Sequence, residues 1–369
     1  MTRCLLAVLL LVPALVPAAK RAKNVVLFLA DAGGIPTINA ASLHGYGVPR
    51  KLFVQRMPHI GLSDTASTPH FVTDSAAGMT AIVTGQKTRN GVIGQSASGE
   101  RGVRDGAPLK TILEYAEERG LSTGIITNDS LSGATPAALY AKANDRASTA
   151  VIFPQIFAPR FGDGVDVMIG AGRPAIAKAL AAAGVDLEAL AREKGRPLLP
   201  GWAAVAPRAR RAIVLLESAE FDLAEAVQLA LRMLSRNPKG YFLMVEWDTH
   251  TDNLRRGLDR MVALDRVIEQ TARVAGPDTL LLFTADHSFD IRVRGGQQGR
   301  PLLEGLEEAE AKAAEEKRRD IRIPAVRMDN GHTGEEVLVA AQGPGAGRVH
   351  GYMANTDLFG VMRDAFGWK

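Results

Sequence analysis

The chain has 369 residues, 46% hydrophobic and 23% charged, a globular composition with length for one large α/β domain or two smaller ones. Its formal charge of +4 is too weak to argue for nucleic acid, so the clusters Arg208–Arg211 and Lys317–Arg319 are expected to be solvated faces. The only cysteine is Cys4, which excludes cysteine nucleophiles and cysteine zinc sites from everything after it.

Taken in order, the chain opens with the layout of a secretory signal. Arg3 supplies the positive charge, Leu5–Val16 the apolar run, and Pro17-Ala18-Ala19 small residues for cleavage. Residues 1–19 are therefore expected to direct export, to the periplasm or outside the cell, and residues 20–369 to form a single domain. The run is short for a membrane span and Pro13 interrupts it, with an uncleaved anchor as the alternative. Aliphatic and β-branched runs then predict buried strands at Asn24–Ala30, Ser122–Thr127, Asp166–Ile169, Gly240–Val245, Thr279–Thr284 and Glu336–Ala341. Helical patterns fall between most of them, at Leu109–Arg119, Pro136–Asn144, Ala175–Ala183, Leu223–Ser235 and Leu258–Val274. This alternation predicts an α/β fold with a large, mostly parallel central β-sheet and helices on both faces. Ligands of such sheets collect at the carboxyl ends of the strands. Glu304–Arg319 reads as an inserted Ala/Glu/Lys-rich helix, solvated and without chemistry.

Two features bear on function. Phe71–Gly85 (FVTDSAAGMTAIVTG) places Ser75 after Asp74, at the mouth of a helix running from Ala76 to about Val83. The helix dipole there favours an alkoxide or a bound anion, although an N-cap role alone would account for either residue in isolation. The second feature is the set of strand ends. Asp31 follows the first strand; Glu246, Asp248 and His250 follow Gly240–Val245; Asp286 and His287 follow Thr279–Thr284; His332 precedes Glu336–Ala341. Gathered on one edge of a parallel sheet, these carboxylates would repel one another unless cations stood among them. His44, His59, His70 and His350 lack such a context and read as ordinary polar residues.

With these residues in view, the chain resembles the alkaline phosphatase family from Asn24 almost to its C-terminus. The likeness is carried, in the family's order, by VVLFLADAGG, VTDSAAGMTAIVTG, ATPAALYAKANDR, DVMIGAGR, NPKGYFLMVEWD, TADH and HTGEEVLVAAQGPGAG, followed by NTDLF. The resemblance implies hydrolysis of small-molecule phosphate monoesters through a phosphoserine at Ser75, with two zinc ions (Zn2+) and one magnesium (Mg2+). It implies that Asp31, Asp286 and His287 hold the zinc that activates Ser75, and that Asp248, His250 and His332 hold the second. Asp31, Thr135 and Glu246 would supply oxygens to magnesium, and Arg146 would grip the phosphate. No nucleic-acid specificity and no stable membrane insertion are expected, and a homodimer is allowed. A phosphodiesterase or sulfatase of the same superfamily, or a non-catalytic phosphate-binding protein, stands as the alternative.

The residue types suit these roles. Zinc takes imidazole and carboxylate, magnesium takes oxygen and keeps waters, and an arginine fork binds two phosphoryl oxygens at once. Thr135 ahead of Pro136 would serve equally as a helix cap, and Arg146 as a cation near a helix C-terminus. The chain also departs from the family. Asp248-Thr249-His250 is spaced more tightly than the usual segment, with Asp252 as the alternative carboxylate. Ala32 replaces a frequent glycine, a change expected to be minor. Gly133 stands where relatives carry an acidic residue or a histidine, so water alone is expected to complete the magnesium shell there.

Overall fold

The run Asn24–Asp31 forms β1, buried from Val25 onward in the computed structural model, which describes residues 21–369. The signal expected over residues 1–19 lies outside the described residues. Val25, Leu27 and Leu29 enter one apolar core and Val26, Phe28 and Ala30 another, as the two-residue period of a strand requires. Each of the larger side chains stabilises the fold by about 1.5–3 kcal/mol through burial.

The other strands are β2 (His59–Ser63), β3 (Ser122–Ser130), β4 (Val167–Ala171), β5 (Leu198–Leu199), β6 (Ala212–Leu215), β7 (Tyr241–Asp248), β8 (Thr279–Thr284), β9 (Ser288–Val293), β10 (Ile321–Arg322), β11 (Val326–Thr333), β12 (Val337–Gln342) and β13 (Gly351–Met353). Ten of the strands make one sheet in the order β13-β2-β12-β8-β1-β7-β3-β4-β6-β5, and β10-β11-β9 make a small second one. In the large sheet every strand but β12 runs the same way.

The helices are α1 (Ile35–Tyr46), α2 (Ser75–Thr84), α3 (Ile112–Glu118), α4 (Ala134–Tyr140), α5 (Thr149–Ile152), α6 (Arg173–Ala182), α7 (Leu187–Glu193), α8 (Leu223–Leu234), α9 (Leu254–Val274), α10 (Leu306–Glu315) and α11 (Asp357–Ala365). α2, α3, α4, α6 and α11 pack into the core of Val25, while α1, α8 and α9 pack into the core of Val26. The predicted α/β class, a mostly parallel sheet covered on both faces, is the observed one. α10 is the predicted charged insertion, although Leu306 and Ala313 anchor it in the second core. Among the described residues no helix is long and apolar enough to cross a membrane.

Several expectations need correction. β12 runs antiparallel to β8 and β2, and this reversal is what brings the chain before it to the carboxyl edge. A parallel β12 would have left His332 at the opposite edge. α4 starts after Gly133 and ends at Tyr140, so Thr135 lies inside the helix and is not its cap. Arg146 consequently stands in the following loop and not at a helix C-terminus. The cluster Arg208–Arg211 is exposed as expected; it borders a cavity of ≈ 760 Å³ at the amino edge, where Arg211 pairs with Asp163 and Asp166.

Candidate metal centre

α2 positions Ser75. Asp74 caps the helix, its Oδ1 accepting from the Ala77 N–H at 3.1 Å, and Ser75 is the first helical residue, 4% exposed. Small residues let this end approach β8 closely. A Cβ on Gly78 would stand 2.9 Å from the Asp286 carbonyl oxygen. Ser75 Oγ therefore reaches His287 Nε2 at 3.3 Å.

The same nitrogen lies 3.4 Å from Asp31 Oδ1 and 3.5 Å from Asp286 Oδ2. Four ligand atoms placed tetrahedrally about zinc, at bonds of about 2.0–2.1 Å, stand roughly 3.3 Å apart. The three distances from His287 Nε2 to Ser75, Asp31 and Asp286 have that dimension. His250 Nε2 and His332 Nε2 face each other at 3.3 Å, the same edge length. Asp31, Asp286 and His287, and separately His250, His287 and His332, each bring donor atoms within 4.8 Å of one another.

What surrounds these atoms also suits a cation. Asp31 Oδ1, Asp286 Oδ2 and Glu246 Oε1 are buried without a hydrogen-bond partner among the described residues. An acceptor orphaned in that way is costly unless something positive meets it. Burial raises the carboxyl pKa of Asp31 well above its ordinary value, and Asp286 and Asp248 add to the rise. Burial raises Glu246 too, with Asp31 and Asp129 adding to it. His287 is pushed by burial down to about 4, and burial also lowers His332, so both stay neutral as metal ligation requires.

The second imidazole nitrogens are all occupied. His287 Nδ1 meets the Ser288 carbonyl at 3.2 Å and His332 Nδ1 the Thr73 carbonyl at 3.3 Å. His250 Nδ1 meets Asp248 Oδ1 at 2.8 Å, and that oxygen also accepts from the His250 backbone N–H at 3.0 Å. Asp248 Oδ2 accepts from Arg260 at 2.7 Å. Asp248 thus stands on the Nδ1 side of His250 and is not among the clustered donors. Burial opposes charge on His250, but the Asp248 bond and charge outweigh it and the pKa rises. Asp252 is no substitute, because it is exposed and paired with Arg256 at 3.5 Å.

Thr135 stands close enough to Glu246 to oppose the rise in its pKa, and Thr127 Oγ1 donates to Glu246 Oε2 at 2.5 Å. Arg146 Nη1 donates to Asp74 Oδ2 at 3.1 Å, which brings its guanidinium to the N-terminus of α2. Of the expected site residues, Asp31, Asp286, His250, His287 and His332 supply the clustered donor atoms.

Sequence reasoning missed Thr127, Asn128, Asp129 and Arg260. The first three end a predicted strand in polar residues, the same signal that exposed Asp31 and Asp286. Arg260 gave no signal, since it reaches Asp248 from the buried side of α9. The space beside Gly133 holds the Asp129 carboxylate, whose Oδ2 would lie 2.2 Å from a Cβ at position 133.

Known proteins resemble this chain in sequence and in fold. The chain is 29% identical over 330 residues to the tissue-nonspecific alkaline phosphatase of Rattus norvegicus, covering 72% of this chain and 63% of that protein. It therefore spans less than two thirds of that relative's length. A streptomycin-6-phosphate phosphatase of Streptomyces griseus is 28% identical, over 99% of this chain and 96% of its own length. The solved alkaline phosphatase of the Antarctic bacterium TAB5 superposes with a TM-score of 0.76 at 22% identity, covering 95% of this chain and 100% of that one. The sequence model of the alkaline phosphatase family matches residues 22–216 and 211–319, and the chain belongs to that family.

Proposed function

We propose that this chain is an exported, metal-dependent phosphatase in which residues 20–369 act as one catalytic domain on small-molecule phosphate monoesters. The observation that carries the reading is the 3.3 Å approach of Ser75 Oγ to His287 Nε2, inside the donor set of Asp31 and Asp286. The residues fit one zinc ion at Asp31, Asp286 and His287, a second at His250 and His332, and an all-oxygen magnesium site at Asp31, Thr135 and Glu246. Zinc bound there would supply Lewis-acid stabilisation of the attacking and leaving oxygens.

The chain's own groups do the rest. Ser75 Oγ forms the bond to phosphorus at the positive end of α2, while the alcohol oxygen leaves with its electron pair. Arg146, anchored through Nη1, turns its remaining N–H groups to the phosphoryl oxygens, where charge must be held. Water then attacks phosphorus, releases phosphate and restores Ser75. Asp248 fixes the tautomer of His250 from behind. The Streptomyces relative supports the substrate class, since its name specifies one small phosphate monoester.

Turnover of p-nitrophenyl phosphate, compared with its diester and sulfate analogues on protein loaded with zinc and magnesium, tests the reading. The monoester should dominate, and mass spectrometry of acid-quenched enzyme should place phosphate on Ser75. Preference for the diester or sulfate would move the chain to another hydrolase class. Phosphate binding without turnover would make it a binding protein.

A further inference from the structure

Position 133 carries no side chain, and the structure fills the adjoining space from another residue. A Cβ there would stand 2.2 Å from Asp129 Oδ2 and 2.8 Å from the Ser130 carbonyl oxygen. The dihedral angle does not demand glycine, for φ at Gly133 is −59°. Crowding by the Ser130 carbonyl and the Asp129 carboxylate does.

A bulge delivers that carboxylate. β3 pairs with β4 at Ile126 and again at Ser130, with a register shift between, and such bulges re-aim side chains beside active sites. The bulge is stitched to the acid-bearing strand. The Asp129 N–H donates to Thr127 Oγ1 at 2.8 Å, and Thr127 Oγ1 donates in turn to Glu246 Oε2. Asn128 Oδ1 accepts from the Asp248 N–H at 2.7 Å. Beyond this support lie Glu246, 0% exposed with Oε1 unpartnered, and Asp31 with Oδ1 unpartnered. Those buried, aimed acceptors point to a cation. Asp129 itself is open to water.

We propose that Asp129 is a positioning residue of the magnesium site, holding through its carboxylate the waters of an ion bound between Asp31 and Glu246. The inference rests on the three-metal reading above. It assigns to the β3 bulge a task that a side chain at position 133 would otherwise perform, and it makes Gly133 necessary as the space that carboxylate needs. Magnesium keeps several of its waters when bound, so an exposed carboxylate beside two buried ones suits it.

Calorimetric titration of magnesium chloride into zinc-loaded protein tests this without reference to turnover. Asp129→Asn, and Gly133→Ala, which puts a methyl into the carboxylate's space, should each weaken magnesium binding about 10–100-fold. Zinc content should stay at the wild-type value in both, as should the melting temperature of metal-free Asp129→Asn. The pair Asp129→Ala with Gly133→Asp, which returns a carboxylate from the other side, should recover affinity lost in Asp129→Ala. Wild-type affinity in Asp129→Asn, or magnesium loss only alongside zinc loss, overturns the proposal. A wild type that binds no magnesium overturns it as well and removes the third metal from the functional reading. p-Nitrophenyl phosphate turnover with zinc alone then judges the remainder of that reading separately.

Discussion

Each histidine of the site presents Nε2 to the donor cluster and ties Nδ1 down, but the three anchors differ. Two are backbone carbonyls and the third is the Asp248 carboxylate. A carboxylate behind an imidazole raises its basicity as a ligand. Asp248→Asn should therefore weaken zinc at the His250–His332 pair by about 10–100-fold, whereas His250→Ala should abolish that site. Zinc titration of both variants checks the ranking, and equal loss in the two would make Asp248 a ligand after all. Ser75→Ala should abolish phosphoenzyme and lower turnover by several orders of magnitude while zinc binding persists. Ala32, expected to be a minor replacement, has φ 63°, where a residue with a Cβ is strained by roughly 1–2 kcal/mol. Its buried methyl returns only about 0.8 kcal/mol. Ala32→Gly should consequently be neutral or slightly stabilising in urea unfolding, and a clear destabilisation would contradict the strain argument.

At the scale of elements, α2 and the loop carrying Arg146 are joined by one residue. Asp74 Oδ1 caps the helix, while Oδ2 accepts from the Gly91 N–H at 2.9 Å and from Arg146 at 3.1 Å. Loss of the cap alone costs about 1 kcal/mol. Asp74→Ala should show that modest loss of stability together with weaker inhibition by inorganic phosphate, because Arg146 loses its anchor. Asp74→Asn retains a cap oxygen and should recover stability more fully than phosphate affinity. If both variants bind phosphate as the wild type does, Arg146 is held by other contacts.

For the molecule as a whole, two titratable features set stability. The unpartnered carboxylates at the carboxyl edge repel one another, and bound cations relieve that cost. A ligand at a thousand times its Kd stabilises by about 4 kcal/mol. Chelation should therefore lower the melting temperature by on the order of 10 °C, and an unchanged melt would mean that the apo edge is relaxed in another way. The second feature is Glu117, far from that edge, which burial raises from 4.5 to about 7. The folded chain holds this proton more tightly than the unfolded chain does. Its contribution is present below about pH 4.5 and is lost as pH rises through 7. The carboxyl oxygens accept from Thr123 Oγ1 and the Gly164 N–H; a glutamine amide can accept from Gly164 through its oxygen and donate through its nitrogen to Thr123 Oγ1. Glu117→Gln should flatten stability across that window relative to wild type, as read from urea unfolding at several pH values.

The sequence alone determined which strands form the centre of the sheet, because a strand buried on both faces must be a continuous apolar run. β1, β3, β7 and β8 are such runs, and their polar ends named Asp31, Glu246, Asp286 and His287 before any fold was known. The edge strands β5 and β13, the neighbouring β2 and the small sheet of β9–β11 left no such trace, being short, half-exposed or built on polar residues. Direction was not legible either. Nothing local distinguishes a parallel β12 from an antiparallel one, yet that choice decides whether His332 reaches the site. The same holds where two distant segments compete for one space. Sequence showed that Gly133 lacks a side chain, and only packing across the bulge of β3 showed that Asp129 fills the gap. Likewise the spacing of Asp248 and His250 permitted a shared metal, but only packing showed the carboxylate paired with Arg260 of α9 and with His250 Nδ1. Residue type and period are written along the chain, whereas which side chain wins a site depends on contacts that exist only once the elements are packed.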